Sequence, residues 1–148
     1  LMENLNAIGE ILIKDKPERK ERINLLISKF ELEAVQDTWA GQLSGGQKKK
    51  LVIALSLLGN PKIMLMDEPF AALDVMTINI LQQIIVNLQS ENNISIILCD
   101  HQARDLLSCV DTAIVISNCK VIAKGTPTEL VNNIDAKNAY FGNSFKIN

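Results

Sequence analysis

At 148 residues the chain is long enough for one ordinary domain, and a hydrophobic content of 47% suits a packed core. A net charge of -2 gives no electrostatic case for nucleic acid as a partner, and no apolar run approaches the roughly 20 residues that cross a bilayer. The opening residues lack the basic, apolar and small-residue order of a secretory signal; Cys99, Cys109 and Cys119, without close metal-ligand spacing, read as reduced thiols of a cytosolic protein.

Leu5, Ile8 and Leu12 recur at helical spacing and predict a first helix over residues 2 to 13. Asp15-Lys16-Pro17 breaks it, and Pro17 suits the first turn of a second helix with an apolar stripe of Ile23, Leu26, Ile27 and Phe30. Residues 31 to 42 read as a turn-like segment in which Trp39 is expected to pack beneath the following loop. A third helix runs from Ser44 to about Leu58 and ends at Gly59-Asn60-Pro61. Ile63 to Met66 predict a short buried strand, Asp74 caps a long helix reaching about Gln89, and a loop covers Ser90 to Asn93. Ile94 to Cys99 suit a buried parallel strand. A short helix over 103–108 leads to strands at 112–116 and 120–123, with a turn near Ser117-Asn118. Thr126-Pro127-Thr128-Glu129 is a capping box with proline at the first helical position, and a last short helix covers Asp135 to Phe141. Two leading helices followed by alternating strands and helices predict an α/β class with a helical appendage at the front.

The chemistry concentrates between Leu43 and Asp74. Ser44, Gly45 and Gly46 open a helix whose bare N–H groups and positive dipole end can meet a phosphate. Asp67 and Glu68 are delivered to the C-terminal edge of a strand, where open α/β sheets bind ligands. An anion-binding helix start beside a strand-end carboxylate pair suggests a nucleoside triphosphate with magnesium. Lys48-Lys49-Lys50 is open to two readings, a solvated helix face or a phosphate-steering patch.

Leu43-Ser44-Gly45-Gly46-Gln47, Asp67-Glu68-Pro69 after an apolar strand, and Ala72-Leu73-Asp74 together resemble the signature, Walker B and D-loop motifs of the ATP-binding cassette (ABC) ATPases. The resemblance implies a P-loop NTPase fold of the ABC nucleotide-binding type, of which this chain would be the C-terminal part. Residues 1–50 would form the helical signature subdomain and residues 51–148 the second half of the catalytic α/β core. It implies ATP and Mg²⁺ as ligands. Ser44, Gly45, Gly46 and Gln47 would close over the γ-phosphate on the opposite subunit, and Asp74 would cross to that subunit. Asp67 would hold the metal mostly through water, Glu68 would act as general base, and His101 would match the switch histidine that contacts the γ-phosphate. Implied partners are a second cassette and membrane-spanning transporter subunits, placing the protein in the cytoplasm on the inner face of the cell membrane.

Ala139-Tyr140-Phe141-Gly142-Asn143-Ser144-Phe145 is similar to an ending shared by lipopolysaccharide-export and branched-chain amino-acid ATPases. Glu68 to Asp74 and Asp100 to Asp105 are nearer the export type. Several features depart from the pattern. No Gly-x-x-x-x-Gly-Lys-Ser/Thr loop occurs, the Q-loop glutamine is missing, Leu55 stands at a usual arginine, Ala71 replaces a common serine, and lysines 48–50 replace arginines. With Leu1 in place of a methionine, the expectation is a piece of a longer cassette, inactive alone. The rival expectations are a branched-chain import ATPase and a non-catalytic fragment that binds ATP or a partner through its signature.

Overall fold

The computed structural model describes residues 1–142, without the side chain of Asn92. Helix α1 (Met2–Leu12) buries Leu5 and turns at Ile13. Asp15 then caps α2 (Lys16–Lys29), accepting the Glu18 N–H at 2.8 Å, and Pro17 lies in its first turn, where no helical partner for an N–H is lost. Ile23, Leu26 and Ile27 of α2, and Phe30 just beyond its end, are buried, as their spacing requires. Two short 3₁₀ turns, Glu33–Val35 and Ala40–Gln42, lead into α3 (Gly45–Leu57).

Helix α3 buries Leu51, Ile53, Ala54 and Leu57, with Leu58 just beyond its end. Apolar contacts on more than one side make it the hub of a core running from Leu1 to Ile94. Strand β1 (Ile63–Asp67) pairs in parallel with β2 (Ser95–Cys99), Asp67 lying opposite Cys99. Their crossover is α4 (Val75–Asn92), which buries Ile78, Leu81, Ile85 and Leu88.

After α5 (Ala103–Leu107), strands β3 (Ala113–Ser117) and β4 (Lys120–Gly125) form a separate antiparallel pair. Asn118 and Cys119 between them both have positive φ, the conformation of a tight hairpin turn matched to strand twist. The capping box at Thr126 forms as expected and starts α6 (Pro127–Asn132). Helix α7 (Ile134–Ala136) and a π-turn over Lys137–Phe141 follow. Leu107, Val115, Ala123, Leu130 and Ala136 make a smaller second core.

Three local expectations need correction, and one of the two open readings of the lysine run is narrowed. Trp39 does not pack beneath the signature loop: it is 72% exposed. The two parallel strands are not buried throughout, because Ile63, Leu65 and Ile97 lie on a face that no described element covers. The expected loop at Ser90–Asn93 is mostly helix: α4 runs three residues past Gln89, and Asn93, in the left-handed conformation, ends it. Lys49 and Lys50 are not a plain solvated face: both are partly buried, and Lys50 pairs with Glu31 at 3.2 Å. Asn143 to Phe145 of the similar C-terminal ending lie outside the described residues.

Candidate active site

The signature begins with reciprocal capping. Ser44 Oγ accepts the Gln47 N–H at 3.2 Å, and Gln47 Oε1 accepts the Ser44 N–H at 2.9 Å. The Gln47 amide is thereby turned back toward the helix start. The Ser44 hydroxyl keeps its proton for an outside acceptor, and the N–H groups of Gly45 and Gly46 belong to the first turn, which has no intrahelical acceptors. These groups, at the positive end of α3, form a site suited to an anion.

The loop before α4 lies against this helix start. A methyl group on Gly45 would come within 3.3 Å of Leu73 Cδ2, and one on Gly46 within 2.6 Å of Thr77 Cγ2. Asp74 caps α4, accepting the Thr77 N–H at 3.0 Å and the Thr77 hydroxyl at 2.6 Å. The Thr77 hydroxyl, then its N–H, hold the Asp74 carboxyl below its ordinary range.

The second half of the site is assembled at the C-terminal ends of the parallel strands. Asp67 closes β1 with its side chain exposed. Glu68 follows in the left-handed region, with φ 46°, a conformation costing a non-glycine residue about 1–2 kcal/mol. Its N–H donates to the Cys99 carbonyl at 2.7 Å, and its own carbonyl accepts Lys49 Nζ at 2.8 Å. His101 Nδ1 is 3.3 Å from Glu68 Oε1. The two residues expected to act on water are thus brought together, and both remain open to solvent. No hydrogen bond among the described residues joins the signature to Asp67, Glu68 or His101.

Three neighbours named in the sequence were not assigned these positions at the site. The Asp100 side chain is fully buried; it accepts the Phe70 N–H at 3.0 Å and the Gln102 N–H at 2.9 Å, fixing the turn that carries His101. An aspartate at a strand end that can bond the N–H two residues on is a readable turn signal. Tyr140 donates its hydroxyl to the His101 carbonyl at 2.9 Å, and burial followed by the nearby Asp100 carboxylate raises its pKa. Lys49 reaches Glu68 from α3. Neither of these two long-range contacts leaves a local pattern.

Among the described residues no cluster of three or more acidic, histidine or cysteine side chains forms a metal cage. Magnesium suits the donors that are present, because it keeps several waters and needs only one or two carboxylates beside substrate phosphates. Asp67 supplies one such carboxylate, exposed and beside Glu68.

The chain is similar in sequence and in fold to known proteins. The family model described as ABC transporter matches residues 1–71. The chain is 34% identical over 146 residues to the lipopolysaccharide export system ATP-binding protein LptB of Haemophilus influenzae, covering 98% of this chain and 60% of that protein. LptB of Escherichia coli K12 is also 34% identical, over 145 residues, covering 96% of this chain and 60% of the relative. Among solved structures, cbiO1 from Clostridium perfringens, part of the ABC transporter complex cbiONQ, superposes with a TM-score of 0.77 at 29% identity, over 88% of this chain and 52% of that one. The chain spans about 60% of the length of the curated relatives it matches.

Proposed function

Because the chain belongs to the ABC family of transporter ATP-binding subunits, we propose that it supplies the signature and Walker B parts of a subunit that hydrolyses ATP to power lipopolysaccharide export. The observation carrying this reading is the pairing of Glu68 with His101 at 3.3 Å, on the ends of two parallel strands. The export assignment rests on the likeness to LptB.

Glu68 takes the proton of the attacking water, an effect of about 10²–10⁴-fold for a positioned base. His101, with Nδ1 3.3 Å from Glu68 Oε1, orients that base and presents its other ring nitrogen toward the nucleotide. Asp67 would hold magnesium, which would supply positive charge against the nucleotide phosphates. Ser44, Gly45 and Gly46, which make no bond to that cluster within the chain, close on the nucleotide of a second cassette, with Gln47 and Asp74 beside the same interface. The partners are therefore a homodimer mate and membrane-spanning subunits that bring the pair to the inner face of the cell membrane.

Residues 1–50 act as the helical signature subdomain and 51–148 as the second half of the catalytic core, with α3 bridging the two. The phosphate-cradling loop comes from outside these 148 residues. The inner edges of β2 and β3 face each other across a cleft of about 840 Å³ that also touches Leu106, Tyr140 and Phe141. A strand entering there pairs with both edges and joins the two sheets. Alone, the 148 residues do not turn over ATP.

The test uses the full-length subunit with its phosphate loop. Glu68→Gln should bind ATP and accumulate an ATP-dependent dimer while losing turnover. Asp67→Asn should weaken magnesium binding, raising the magnesium concentration needed for turnover, and Ser44→Arg should prevent dimer closure. Turnover near the parent rate in Glu68→Gln would overturn the assignment of the base and make His101 the next candidate.

A further inference from the structure

Lys49 lies early in the signature helix. It is the fifth residue of α3, close to the positive end of the helix dipole, and Lys48 and Lys50 lie on either side of it. A lysine there gains from an acidic or carbonyl partner. Lys50 has one in Glu31. Lys49 reaches instead to a backbone oxygen, the carbonyl of Glu68, at 2.8 Å. That carbonyl belongs to a residue held at φ 46°, and left-handed backbone at a non-glycine residue persists only where its surroundings over-determine it. Two hydrogen bonds at ordinary lengths do so. The Glu68 N–H is fixed to β2 through the Cys99 carbonyl, and the Glu68 carbonyl is fixed to α3 through Lys49. The remaining contact of this carbonyl, with the Ala71 N–H, is long at 3.3 Å.

We propose that Lys49 is a positioning residue for Glu68, holding the base's peptide in the left-handed conformation that aims its carboxylate at His101. The proposal rests on Glu68 being the base. Through Lys49, the helix whose N-terminus carries the signature also grips the residue that activates water. A shift of α3 on closure with a second cassette is thereby felt at the Glu68 peptide through Lys49, four residues along the helix from Gly45, without a hydrogen bond among the described residues between the signature and Asp67, Glu68 or His101. Because the bond uses a main-chain acceptor, the identity of the side chain at 68 does not alter it, so Glu68→Gln leaves Lys49 in place.

The experiment measures kcat and KM for ATP, and ATP-dependent dimer mass, in the full-length subunit carrying Lys49→Met, Lys49→Arg, Glu68→Gln or Lys49→Met with Glu68→Gln. Lys49→Met keeps the aliphatic stem but removes the donor. It should lower kcat by about tenfold, the scale of one charge-assisted hydrogen bond, with KM and dimer formation changed less than about twofold. Lys49→Arg retains a cationic donor and should recover most of kcat. In the Glu68→Gln background, adding Lys49→Met should slow the residual turnover no further, because a residue acting through the base has nothing left to position. Lys49→Met turning over at the parent rate, or lowering the rate by the same factor with and without Glu68, would overturn the proposal while leaving the base assignment intact. Parent-like turnover in Glu68→Gln would instead overturn the base assignment, and the role of Lys49 with it.

Discussion

Gly46 and Thr77 leave no room for a methyl group between them: a Cβ on Gly46 would lie 2.6 Å from Thr77 Cγ2. This contact seats the signature helix on the first turn of α4, beside the carboxylate of Asp74. The glycine at this position therefore has a packing reason within the chain as well as a proposed role toward phosphate. Gly46→Ala should lower the melting temperature, because overpacking of about 1–3 kcal/mol outweighs a helix-propensity gain of at most about 1 kcal/mol. Thr77→Ser removes Cγ2 but keeps the hydroxyl that Asp74 accepts, so the double variant should recover most of the loss. Equal melting of Gly46→Ala and the double variant would show that the clash lies elsewhere.

Asp74 should contribute to acid sensitivity. The Thr77 hydroxyl and N–H hold its carboxyl below the ordinary value of 3.8. Its contribution is complete above that unfolded value and is lost as pH falls below it, through the folded value. Asp74→Asn keeps a capping oxygen but does not titrate. Urea midpoints measured from about pH 6 down to about pH 2 should converge for parent and variant at the acid end. A gap that stays constant with pH would remove Asp74 from the acid response.

The three thiols should react unequally. Burial, and then the Asp105 carboxylate, push the Cys109 thiol up to about 11, and its Sγ contacts the Leu106 carbonyl at 3.4 Å. Cys99 and Cys119 are exposed. Alkylation of the 148-residue chain near pH 8, followed by mass spectrometry, should label Cys99 and Cys119 at least about tenfold faster than Cys109, since only the accessible thiolate reacts. Fast labelling of Cys109 would mean that α5 opens readily.

The chain alone should self-associate. Strands β2 and β3 show unpaired edges to a shared cleft, and Ile63, Leu65 and Ile97 add exposed apolar surface. Light scattering should report oligomers that disperse when the segment proposed to fill the cleft is supplied. A monodisperse monomer with a sharp melting transition would argue against an open sheet.

The helices were readable because their buried stripes recur at a single period, as Ile23, Leu26, Ile27 and Phe30 do, and because Thr126, Glu129 and Asp74 are local caps. The meeting of Glu68 with His101 was legible in outline, since each follows a strand and parallel strands share an end. Burial along those strands was misjudged: an apolar run such as 63–66 has the composition of a strand covered on both faces, but only alternate residues are covered here. Trp39 was misjudged for a related reason, since aromatic character speaks for burial on average and not at a given position. The contacts of Lys49 with Glu68 and Tyr140 with His101 span 19 and 39 residues. They depend on how α3 and the C-terminal turn pack, which no local spacing encodes.

The register of β1 on β2 makes the distance between the two proposed catalytic side chains a matter of counting. Asp67 is opposite Cys99, so Glu68 and His101 each sit a fixed number of steps past the last paired rung. One inserted residue in either strand would advance its end by about 3.3 Å and turn its side chains to the opposite face. An insertion at the C-terminal end of α4 or in the turn at Asn93 would leave that count untouched. Among descendants of this sequence, gaps should accumulate in the crossover and be absent from residues 63–68 and 95–101, even where the amino acids there have changed.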